Sequence, residues 1–335
     1  MKALVTGGGG FLGNAIVRQL RERGDEVRTF SRTGYPLLEE LGVDQVQGNL
    51  TDQEAVKQAV EGCDTVFHAA AKVGSWGAYE DFYSVNVAGT ENVINACRKS
   101  NVHYLVYTST PSVVFGKSDL EGVNESIKYP DYYEAFYPQT KAAAERLVIA
   151  ANTNSLKTVT LRPHVIWGPG DTSLLPRVLE RGRRGRLRRI RGPKKMTDIT
   201  YIDDAACAHL LAADKLRSSS DSPGQIAGKA YFISSGQPVE IWDFVNRLLK
   251  AATIPPVTKS VPLRLALAIG WMFETLYAFF GIKSEPHMTR WVVRELATSH
   301  WFDISAARRD LGYKPTVTLE EGLHRLESWL QNRSL

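Results

Sequence analysis

The amino-acid sequence predicts an α/β fold, in which a doubly wound parallel sheet is followed by a smaller, mostly helical C-terminal lobe. Three observations lead to this prediction. Short β-branched segments alternate with helical patterns through the first half of the chain, which is typical of βαβ units. A glycine-rich stretch separates the first strand from the first helix. After Pro169 the alternation ends, and from Pro255 onward the sequence is mainly helical.

The predicted elements follow in order along the chain. The strands are Lys2 to Val5, Glu26 to Phe30, Gln45 to Val46, Thr65 to His68, Tyr104 to Tyr107, Thr158 to Arg162 and Ala230 to Ile233. The helices are Phe11 to Arg23 ended by Gly24, one within Tyr79 to Lys99, Tyr137 to Asn152, one beginning near Asp204, and a last one opened by the capping box of Thr318 and Glu321. The polar stretch Ser218 to Pro223 predicts a loop.

Composition excludes several classes of protein. The chain has 335 residues, of which 43% are hydrophobic, so it is neither disordered nor collagen-like, and it exceeds the usual size of a single core. Cys63, Cys97 and Cys207 form no CxxC pair, which predicts reduced thiols. No apolar signal segment precedes the first glycines, and the longest apolar stretch, Leu265 to Phe280, is short for a spanning helix. We therefore expect a soluble, cytoplasmic protein.

Positive charge is concentrated in one segment. The net charge is +5, yet the segment from Arg177 to Lys195 contains ten Lys or Arg residues and one acidic residue, Glu180. A carboxylated lipid, a phosphopantetheine carrier or an anionic membrane surface would each suit this positive field, and a solvated helix face and loop is the plain alternative. Nucleic acid is the least favoured partner, because no aromatic residue lies in the segment to stack on bases.

The segment Thr6-Gly7-Gly8-Gly9-Gly10-Phe11-Leu12-Gly13 has the residues of a phosphate-binding turn. Gly7 allows a tight turn, Gly10 lets the backbone approach a pyrophosphate, and Gly13 permits close packing of helix and strand. The amides at the helix N-terminus then face the anion. A flexible turn is the alternative, but the strand–turn–helix context favours a Rossmann-type dinucleotide site.

The end of the second strand indicates which dinucleotide binds. Phe30-Ser31-Arg32 lacks the carboxylate that would hold an adenosine ribose 2′-hydroxyl. Arg32 can instead pair with a 2′-phosphate, and Ser31 removes a repulsive charge. The sequence therefore predicts NADP, with NAD as the alternative if Arg32 is only a solvated surface residue.

Two further segments carry candidate catalytic groups. Tyr137 and Lys141 are four residues apart, so a phenol and an ammonium share one helix face, and a nearby lysine favours the phenolate. Such a tyrosine exchanges a proton with an alcohol or a ketone, although an ordinary helix surface is the plain alternative. The strand end Tyr107-Thr108-Ser109-Thr110 places hydroxyls at the carboxyl edge of the sheet. Thr110 is our first choice for binding a substrate oxygen, and Ser109 is the second.

Taken together, these features resemble the extended short-chain dehydrogenase/reductase family across almost the whole chain. The matching segments are the glycine-rich turn, His68-Ala69-Ala70-Ala71, Asn86-Val87-Ala88-Gly89-Thr90, the Tyr137/Lys141 pair, Leu161-Arg162-Pro163 and Asp310-Leu311-Gly312-Tyr313-Lys314-Pro315. The resemblance implies that Tyr137 is the acid/base, that Lys141 binds the nicotinamide ribose and lowers the tyrosine pKa, and that Thr110 orients the substrate. The expected cofactor contacts are Gly7, Gly10, Phe11, Leu12, Gly13, Ser31, Arg32, Asn49, Leu50, Ala69, Ala70, Ala71, Thr108, Tyr137, Lys141, Pro163 and Val165.

A narrower resemblance is to the 3β-hydroxysteroid dehydrogenase branch. The segments Tyr107 to Phe115 and Arg162 to Asp171 are most similar to sterol-4α-carboxylate 3-dehydrogenases and to bacterial 2-alkyl-3-oxoalkanoate reductases. This implies an NADP-dependent oxidoreductase that interconverts a secondary alcohol and a ketone on a hydrophobic, carboxylated lipid. The alternatives are a nucleotide-sugar epimerase or dehydratase of the same family and a non-catalytic NADPH-binding scaffold.

Two lobes are expected to share the function. Residues 1–169 and 197–236 would form the NADP-binding domain, and residues 170–196 and 237–335 the substrate-binding lobe. Leu265 to Phe280 is apolar on more than one helix face, so we expect it in the core or in the wall of the substrate pocket; an interfacial helix that takes substrate from a membrane is the alternative. The family resemblance adds a homodimer as an expected partner. The seven histidines show no paired spacing, so we predict no metal site.

Overall fold

The computed structural model describes residues 1–218 and 226–333. The loop predicted at Ser218 to Pro223 lies outside the described residues, apart from Ser218, which ends a helix. The strands are β1 (Lys2–Thr6), β2 (Glu26–Ser31), β3 (Asp44–Gln47), β4 (Thr65–His68), β5 (Tyr104–Thr108), β6 (Leu120–Val123), β7 (Lys157–Pro163), β8 (Ile166–Trp167), β9 (Arg189–Arg191), β10 (Met196–Thr197), β11 (Thr200–Tyr201), β12 (Ala230–Ile233), β13 (Val239–Glu240), β14 (Ser260–Pro262) and β15 (His300–Phe302). The helices are α1 (Phe11–Glu22), α2 (Pro36–Glu40), α3 (Gln53–Val60), α4 (Tyr79–Tyr83), α5 (Gly89–Lys99), α6 (Phe136–Ala150), α7 (Leu174–Arg183), α8 (Ile202–Ser218), α9 (Ile241–Ala251), α10 (Leu263–Phe279), α11 (Arg290–Glu295) and α12 (Leu319–Arg333).

The central sheet has seven parallel strands in the order β12-β7-β5-β4-β1-β2-β3. The chain winds outward from β1 to β3, crosses back to β4 and winds outward again to β12. The strand order therefore reverses between β1 and β4. In a doubly wound sheet, ligands bind outside the carboxyl ends of the strands at this reversal. The predicted fold class is confirmed, and the reversal brings the glycine-rich turn and the end of β4 to one crevice.

Helices cover both faces of the central sheet, which explains why the inner strands β1, β4 and β5 are buried on both sides. β4 is buried along its whole length. Along β1, Val5 packs into the apolar cluster that contains Leu20 of α1, whereas Leu4 packs into the cluster that contains Val60 of α3 and Val93 of α5. Successive side chains of a strand point to opposite faces, so one short segment anchors two helical layers.

A second sheet, which we did not predict, lies outside the central one. Its four strands have the order β13-β10-β15-β6, and each has only two to four residues. Strands this short show no usable periodicity in a sequence. β6 precedes α6 in the chain and pairs with β15 near the C-terminus, so this sheet joins the two predicted lobes. The division into lobes at the predicted boundaries stays a prediction.

The apolar stretch Leu265 to Phe280 does not enter the core, contrary to our expectation. It forms most of α10, in which Ala266 and Gly270 are the buried residues, and Phe279 is 81% exposed. The helix packs against α11 at Gly270. The two backbones are so close there that a Cβ added to Gly270 would lie 3.0 Å from the backbone nitrogen of Arg290. The apolar content of a helix predicts that the helix has a contact partner, but it does not show whether that partner is the core of the same protein. Within the described ranges, no helix is both long and apolar enough to cross a membrane.

Helix ends agree closely with their local sequence signals. α1 is followed by Arg23 and by Gly24, which has φ +84°. The predicted capping box is half formed. The Glu321 backbone N–H donates to the Thr318 hydroxyl at 3.2 Å, whereas the Glu321 carboxylate accepts from Arg325. The Glu321 carboxylate is directed to Arg325, one turn later, instead of to the N-terminus of the helix.

Candidate active site

A cavity of about 690 Å³ lies at the carboxyl ends of β1 to β4. The predicted cofactor residues that line it are Gly7, Gly10, Phe11, Leu12, Gly13, Ser31, Arg32, Asn49, Leu50, Ala69, Ala70 and Ala71. It is also lined by residues that we did not predict, namely Phe30, Tyr35, Gly48, Lys72, Val73, Asp81, Ser84 and Val85. The remaining predicted residues lie at the ends of the next elements along the sheet, β5, α6 and β7: Thr108, Tyr137, Lys141, Pro163 and Val165.

Glycines shape the turn between β1 and α1. Gly7 has φ +71°, a left-handed conformation that favours glycine, and its amide donates to the Phe30 carbonyl at 2.8 Å. A Cβ on Gly13 would lie 2.1 Å from the Gly7 carbonyl oxygen, so no larger residue fits without moving the backbone. The first amides of any helix have no intrahelical acceptor. Gly10, which precedes α1, has no side chain that could accept from them. These amides and the positive end of the helix dipole suit a pyrophosphate.

The end of β2 presents two groups that suit a phosphate. The Ser31 hydroxyl is buried and has no hydrogen-bond partner among the described residues. Arg32, beside it, is exposed, lines the cavity and makes no ion pair in the part of the chain that the structure describes. Tyr35 closes this end of the cavity, since a Cβ on Gly9 would lie 2.1 Å from its ring. The orphaned hydroxyl and the free guanidinium fit a 2′-phosphate.

The segment after β3 lies beside this pair, since the Gly48 amide donates to the Ser31 carbonyl at 3.0 Å. The Asn49 side chain accepts from the Thr51 amide at 3.2 Å, so it closes its own turn. The Leu50 carbonyl accepts from the buried Asn92 side chain of α5 at 2.8 Å. A Cβ on Gly89 would lie 2.8 Å from the Cβ of Leu50. Close packing between α5 and this turn therefore sets the position of Asn49 in the cavity.

His68, at the end of β4, has a structural role. Its Nδ1 lies 2.8 Å from the Thr6 hydroxyl and its Nε2 lies 3.0 Å from the Thr90 hydroxyl. The Thr90 hydroxyl donates to the Asn86 carbonyl at 2.6 Å, so it accepts from Nε2–H, and the Thr6 hydroxyl donates to Nδ1. Burial lowers the pKa of His68 to about 3, which keeps the ring neutral. The Thr6 oxygen accepts from the Ala70 amide at 3.1 Å and so ties β1 to the exit of β4.

Asn86 is a residue of the site that we listed only as part of the family resemblance. It lies in a π-helical turn, Ser84–Ala88, that interrupts the helix predicted within 79–99. Its Oδ1 accepts from the Lys72 amide at 2.7 Å, and its Nδ2 donates to the Lys72 carbonyl and to the Thr140 hydroxyl at 3.0 and 3.1 Å. Asn86 thus clamps the cavity wall to α6 beside Lys141. The available signal was the segment Asn86 to Thr90 itself, which is part of the family resemblance.

α6 places the two predicted catalytic side chains against β5. The Lys141 ammonium donates to the Thr108 carbonyl at 2.6 Å and lies 4.2 Å from the ring centroid of Tyr107. The Thr108 hydroxyl hydrogen-bonds with Nε2 of His209 in α8 at 2.8 Å. Thr108 therefore contacts Lys141 through its backbone carbonyl, because its side chain is directed to α8.

The pKa of Tyr137 differs from the expectation. Burial raises this pKa to about 12, hydrogen bonding with Thr110 lowers it, and the charge of Glu295 raises it. Lys141 is not among these causes, so the expected lowering of the tyrosine pKa by this lysine is not found. Burial also lowers the pKa of Lys141 to about 7, although the nearby Glu145 carboxylate opposes that shift. At neutral pH the site therefore holds a protonated phenol, which is the form that donates a proton.

The two hydroxyls after β5 have different surroundings. Thr110 interacts with Tyr137, and its Oγ1 accepts from the Ser112 amide at 3.3 Å at the start of a 3-10 turn, Pro111–Val114. The Ser109 hydroxyl is buried and has no hydrogen-bond partner among the residues described. Because hydrogen bonding with Thr110 lowers the pKa of Tyr137, Thr110 stays our first choice as the partner of the tyrosine, and this assignment remains a prediction.

A buried ion pair holds α6 against β7. Arg162 donates to both carboxylate oxygens of Glu145, at 2.6 and 3.1 Å, and the Tyr129 hydroxyl donates to the same carboxylate at 2.6 Å. Both charged side chains are almost fully buried. Glu145 lies one turn after Lys141, so this pair positions the helix that carries the catalytic side chains.

The chain after β7 has a strained backbone. Val165 has φ +33°, which is rare for a β-branched residue and costs about 1–3 kcal/mol. The Val165 carbonyl accepts from the Thr200 amide at 3.1 Å, and the Thr200 hydroxyl donates to the His164 carbonyl at 2.5 Å. These two hydrogen bonds from β11 stabilise the strained conformation of Val165. Such strain is typical of functional segments, and here it follows Pro163 at the edge that also carries Thr108.

α11 supplies residues near Tyr137 that we did not predict. The rings of Trp291 and Tyr137 lie 6.4 Å apart in an edge-to-face arrangement. The Trp291 indole N–H is buried and has no hydrogen-bond partner in the described ranges. Burial raises the pKa of Glu295 on the same helix. No sequence motif marks these residues, because they are more than 150 positions from Tyr137 and meet it only through the fold.

Comparison with known proteins agrees with this geometry. Residues 4–264 match the model of the 3-beta hydroxysteroid dehydrogenase/isomerase family. The chain belongs to this family. It is accordingly an oxidoreductase of the extended short-chain dehydrogenase/reductase type, with a nicotinamide cofactor and with hydroxyl or keto groups as its substrates.

Relatives of this family member cover nearly its whole length. A protein named 2-alkyl-3-oxoalkanoate reductase from Stenotrophomonas maltophilia (strain K279a) is 48% identical over 331 residues, which are 98% of this chain and 99% of the relative. A protein of the same name from Shewanella oneidensis is also 48% identical, over 98% of this chain and 86% of the relative. A sterol-4-alpha-carboxylate 3-dehydrogenase from Schizosaccharomyces pombe is 36% identical over 98% of both chains.

Solved structures share the fold at low sequence identity. MoeE5 in complex with UDP-glucose and NAD is 24% identical, covers all of both chains and has a TM-score of 0.76. The UDP-glucose 4-epimerase of Thermotoga maritima is 21% identical with the same coverage and TM-score. Within the residues described, no group of three or more His, Cys, Asp or Glu side chains is arranged to hold a metal ion.

Proposed function

We propose that this family member is an NADPH-dependent reductase of 2-alkyl-3-oxoalkanoates. The observation that carries the proposal is the position of Tyr137 and Lys141 on α6, at the sheet edge that adjoins the dinucleotide cavity, where Lys141 donates to the Thr108 carbonyl at 2.6 Å. A phenol at this edge can give a proton to the oxygen of a ketone. The substrate class is supported by the relatives of 48% identity, which are named for it.

The choice of NADPH is supported by the end of β2. Ser31 and Arg32 would bind the 2′-phosphate, and the amides at the start of α1 the pyrophosphate. Asn49 and Leu50 would contact the adenine end, and the segment from Ala69 to Ala71 would follow the cofactor towards Thr108, Pro163 and Val165. Lys141 would bind the nicotinamide ribose, as in the related enzymes. When bound, the reduced nicotinamide supplies a hydride.

The chain's own groups handle the proton. On reduction the carbonyl carbon gains the hydride and the carbonyl oxygen gains the phenolic proton of Tyr137, so that a ketone becomes a secondary alcohol. Thr110 would donate its single hydroxyl proton to the same carbonyl oxygen, which stabilises the negative charge that develops there. Tyr137 is reprotonated from solvent after the alcohol forms.

Recognition of the carboxylate is assigned to α11. The buried indole N–H of Trp291 has no partner among the described residues, and its ring lies 6.4 Å from that of Tyr137, so we propose that it donates to the substrate carboxylate. Burial raises the pKa of Glu295, so this side chain is more readily protonated and repels the carboxylate less than an exposed glutamate would. Both groups come from the lobe in which the sequence placed substrate binding.

The test is turnover of purified protein, followed by nicotinamide absorbance. NADP⁺ is supplied with a 2-alkyl-3-hydroxyalkanoate or with a 4α-carboxysterol, so that the alcohol is oxidised in the direction in which both substrates are stable. We expect turnover of the alkanoate and a preference for NADP⁺ over NAD⁺. Turnover of the sterol alone would assign the enzyme to the sterol branch. Silence with both, despite cofactor binding, would move the assignment to nucleotide sugars or to a non-catalytic role.

A further inference from the structure

One face of α10 is apolar, exposed and uncharged. Leu265, Met272, Leu276 and Phe279 are spaced by seven, four and three residues, which places them on one side of the helix. All four are exposed, and the neighbouring Trp271 is 57% exposed. A contiguous apolar surface of this kind on a folded protein marks a contact site.

Two polar side chains of α10 have hydrogen-bond partners inside the protein, whereas Arg264, in the first turn, is exposed and forms no ion pair with the described residues. The Thr275 hydroxyl, on the apolar side, donates to the Trp271 carbonyl one turn earlier at 2.8 Å. Glu274 is the only charged residue between Leu265 and Phe280, and it faces α11, where it accepts from the Arg290 amide and guanidinium at 2.7 and 2.6 Å. The apolar face therefore loses no polar hydration when it leaves water.

Positive charge flanks the N-terminal end of this face. β9, in the basic segment 177–195, pairs with β14, and β14 leads directly into α10. Arg177, Arg184 and Lys195 form ion pairs. The other basic residues of the segment form none within residues 1–218 and 226–333, namely Arg181, Arg183, Arg186, Arg188, Arg189, Arg191 and Lys194.

We propose that the apolar face of α10 and the basic segment 177–195 form a docking surface for an anionic lipid bilayer. In this arrangement α10 lies in the plane of the interface, its apolar side chains enter the acyl boundary, and the unpaired arginines contact acidic headgroups. A second copy of the chain is a poorer occupant, because it would bring a second basic segment with one acidic residue to balance ten basic ones.

The docking surface adjoins the active site. The Trp76 indole N–H donates to the Ile282 carbonyl at 3.0 Å, and its ring lies 6.2 Å from that of Tyr277 in α10. Trp76 follows Val73, which lines the dinucleotide cavity, so Trp76 anchors α10 to the wall of that cavity. If the proposed function holds, an apolar substrate passes from the bilayer to Tyr137 over a short path. The docking itself does not depend on that substrate.

Vesicle flotation of the full chain tests the proposal. The probes are phosphatidylcholine vesicles with and without phosphatidylglycerol, and binding is read as the partition coefficient. Leu276→Gln with Phe279→Gln removes the apolar contact, and Leu37→Gln with Tyr132→Gln is the matched control at exposed apolar positions elsewhere. Arg186→Gln, Arg191→Gln and Lys194→Gln remove charge, and Arg98→Gln, Lys99→Gln and Lys128→Gln are the control. Thermal unfolding by circular dichroism shows that each variant is folded.

We expect the unaltered chain to float with the anionic vesicles. The apolar variant should lower partition by about tenfold or more, and the charge variant by about fivefold per residue for anionic vesicles only. Absence of flotation with folded protein would overturn the proposal, as would equal losses in the controls. A dimer in sedimentation velocity that Leu276→Gln with Phe279→Gln dissociates would assign the face to a second copy. Because flotation needs no turnover, this result is independent of the proposed reaction.

Discussion

The cofactor side and the substrate side of this enzyme are built in different ways. The cofactor cavity is lined by residues that follow consecutive strands within the first 85 positions, and each of those segments is a short contiguous motif. The substrate side brings Trp291 of α11, with α10 packed behind it, to Tyr137 of α6 across more than 150 positions. The shape of the cofactor cavity depends on local backbone sterics. The substrate side depends on long-range packing, which no sequence motif indicates.

The largest expected effect is on the free energy of unfolding, and it concerns the buried Glu145–Arg162 ion pair that holds α6 against β7. Glu145→Gln would leave the Arg162 guanidinium buried without a counter-charge, which typically costs about 3–5 kcal/mol. Urea denaturation should show this loss in the free energy of unfolding. Asp243→Asn is the control, since it breaks an exposed pair with Arg247 and should cost about 1 kcal/mol or less. A similar small loss in both variants would show that the buried pair does not position α6.

Gly13→Ala tests whether the cofactor side is set by backbone sterics. The added Cβ would meet the Gly7 carbonyl at 2.1 Å, so the turn must open and the pyrophosphate amides must move. We expect NADPH affinity, measured by nicotinamide fluorescence, to fall by about a hundredfold or more. Gly116→Ala is the matched control, because its Cβ meets nothing closer than 3.9 Å. Unchanged affinity in Gly13→Ala would remove the steric argument.

Arg32→Ala sharpens the choice of cofactor. Loss of a charge-assisted contact with the 2′-phosphate should weaken NADPH binding by about thirtyfold and leave NADH binding unchanged. Fluorescence titration of both nucleotides gives the ratio directly. Arg98→Ala, at the exposed end of α5, controls for a general loss of positive charge. If the NADPH to NADH ratio stays the same in Arg32→Ala, the enzyme does not recognise the 2′-phosphate through this residue.

Trp291→Phe tests the long-range contribution with the smallest expected effect. The ring is kept and the N–H is lost, so KM for a 2-alkyl-3-hydroxyalkanoate, oxidised with NADP⁺, should rise by about tenfold while kcat changes little. The matching secondary alcohol without the carboxylate serves as the control, and its KM should not change. A parallel rise in KM for both alcohols would mean that Trp291 packs against the substrate and does not bind its carboxylate.

The sequence predicted most of the residues that line the cavity because their constraints are local, and their binding of a cofactor stays a prediction. The strand–turn–helix at Gly7 to Gly13, the exposed Arg32 and the spacing of Tyr137 and Lys141 are each visible within a few residues. It predicted α10 wrongly because hydropathy does not distinguish a helix of the core from a helix with an exposed apolar face. The short strands of the second sheet and the approach of α11 to the active site were missed, since they depend on tertiary contacts alone.

The pKa of the catalytic tyrosine lies between these cases. The spacing of Tyr137 and Lys141 correctly places both residues on α6, but spacing does not show which way an ammonium points. Lys141 is directed to the Thr108 carbonyl, and burial dominates the titration of both side chains. Sequence spacing thus predicted the pair, and the structure added the burial that raises the pKa of the phenol.

The central claim is that Tyr137 supplies the proton in a nicotinamide-dependent reduction, and Tyr137→Phe tests it most directly. Turnover of NADPH with a 2-alkyl-3-oxoalkanoate should fall by about 10²–10⁴-fold, because only the hydroxyl is removed. NADPH affinity should stay unchanged, since the cavity that binds the nucleotide is not altered. Turnover that persists near the level of the unaltered enzyme would contradict the account and place the proton donor elsewhere.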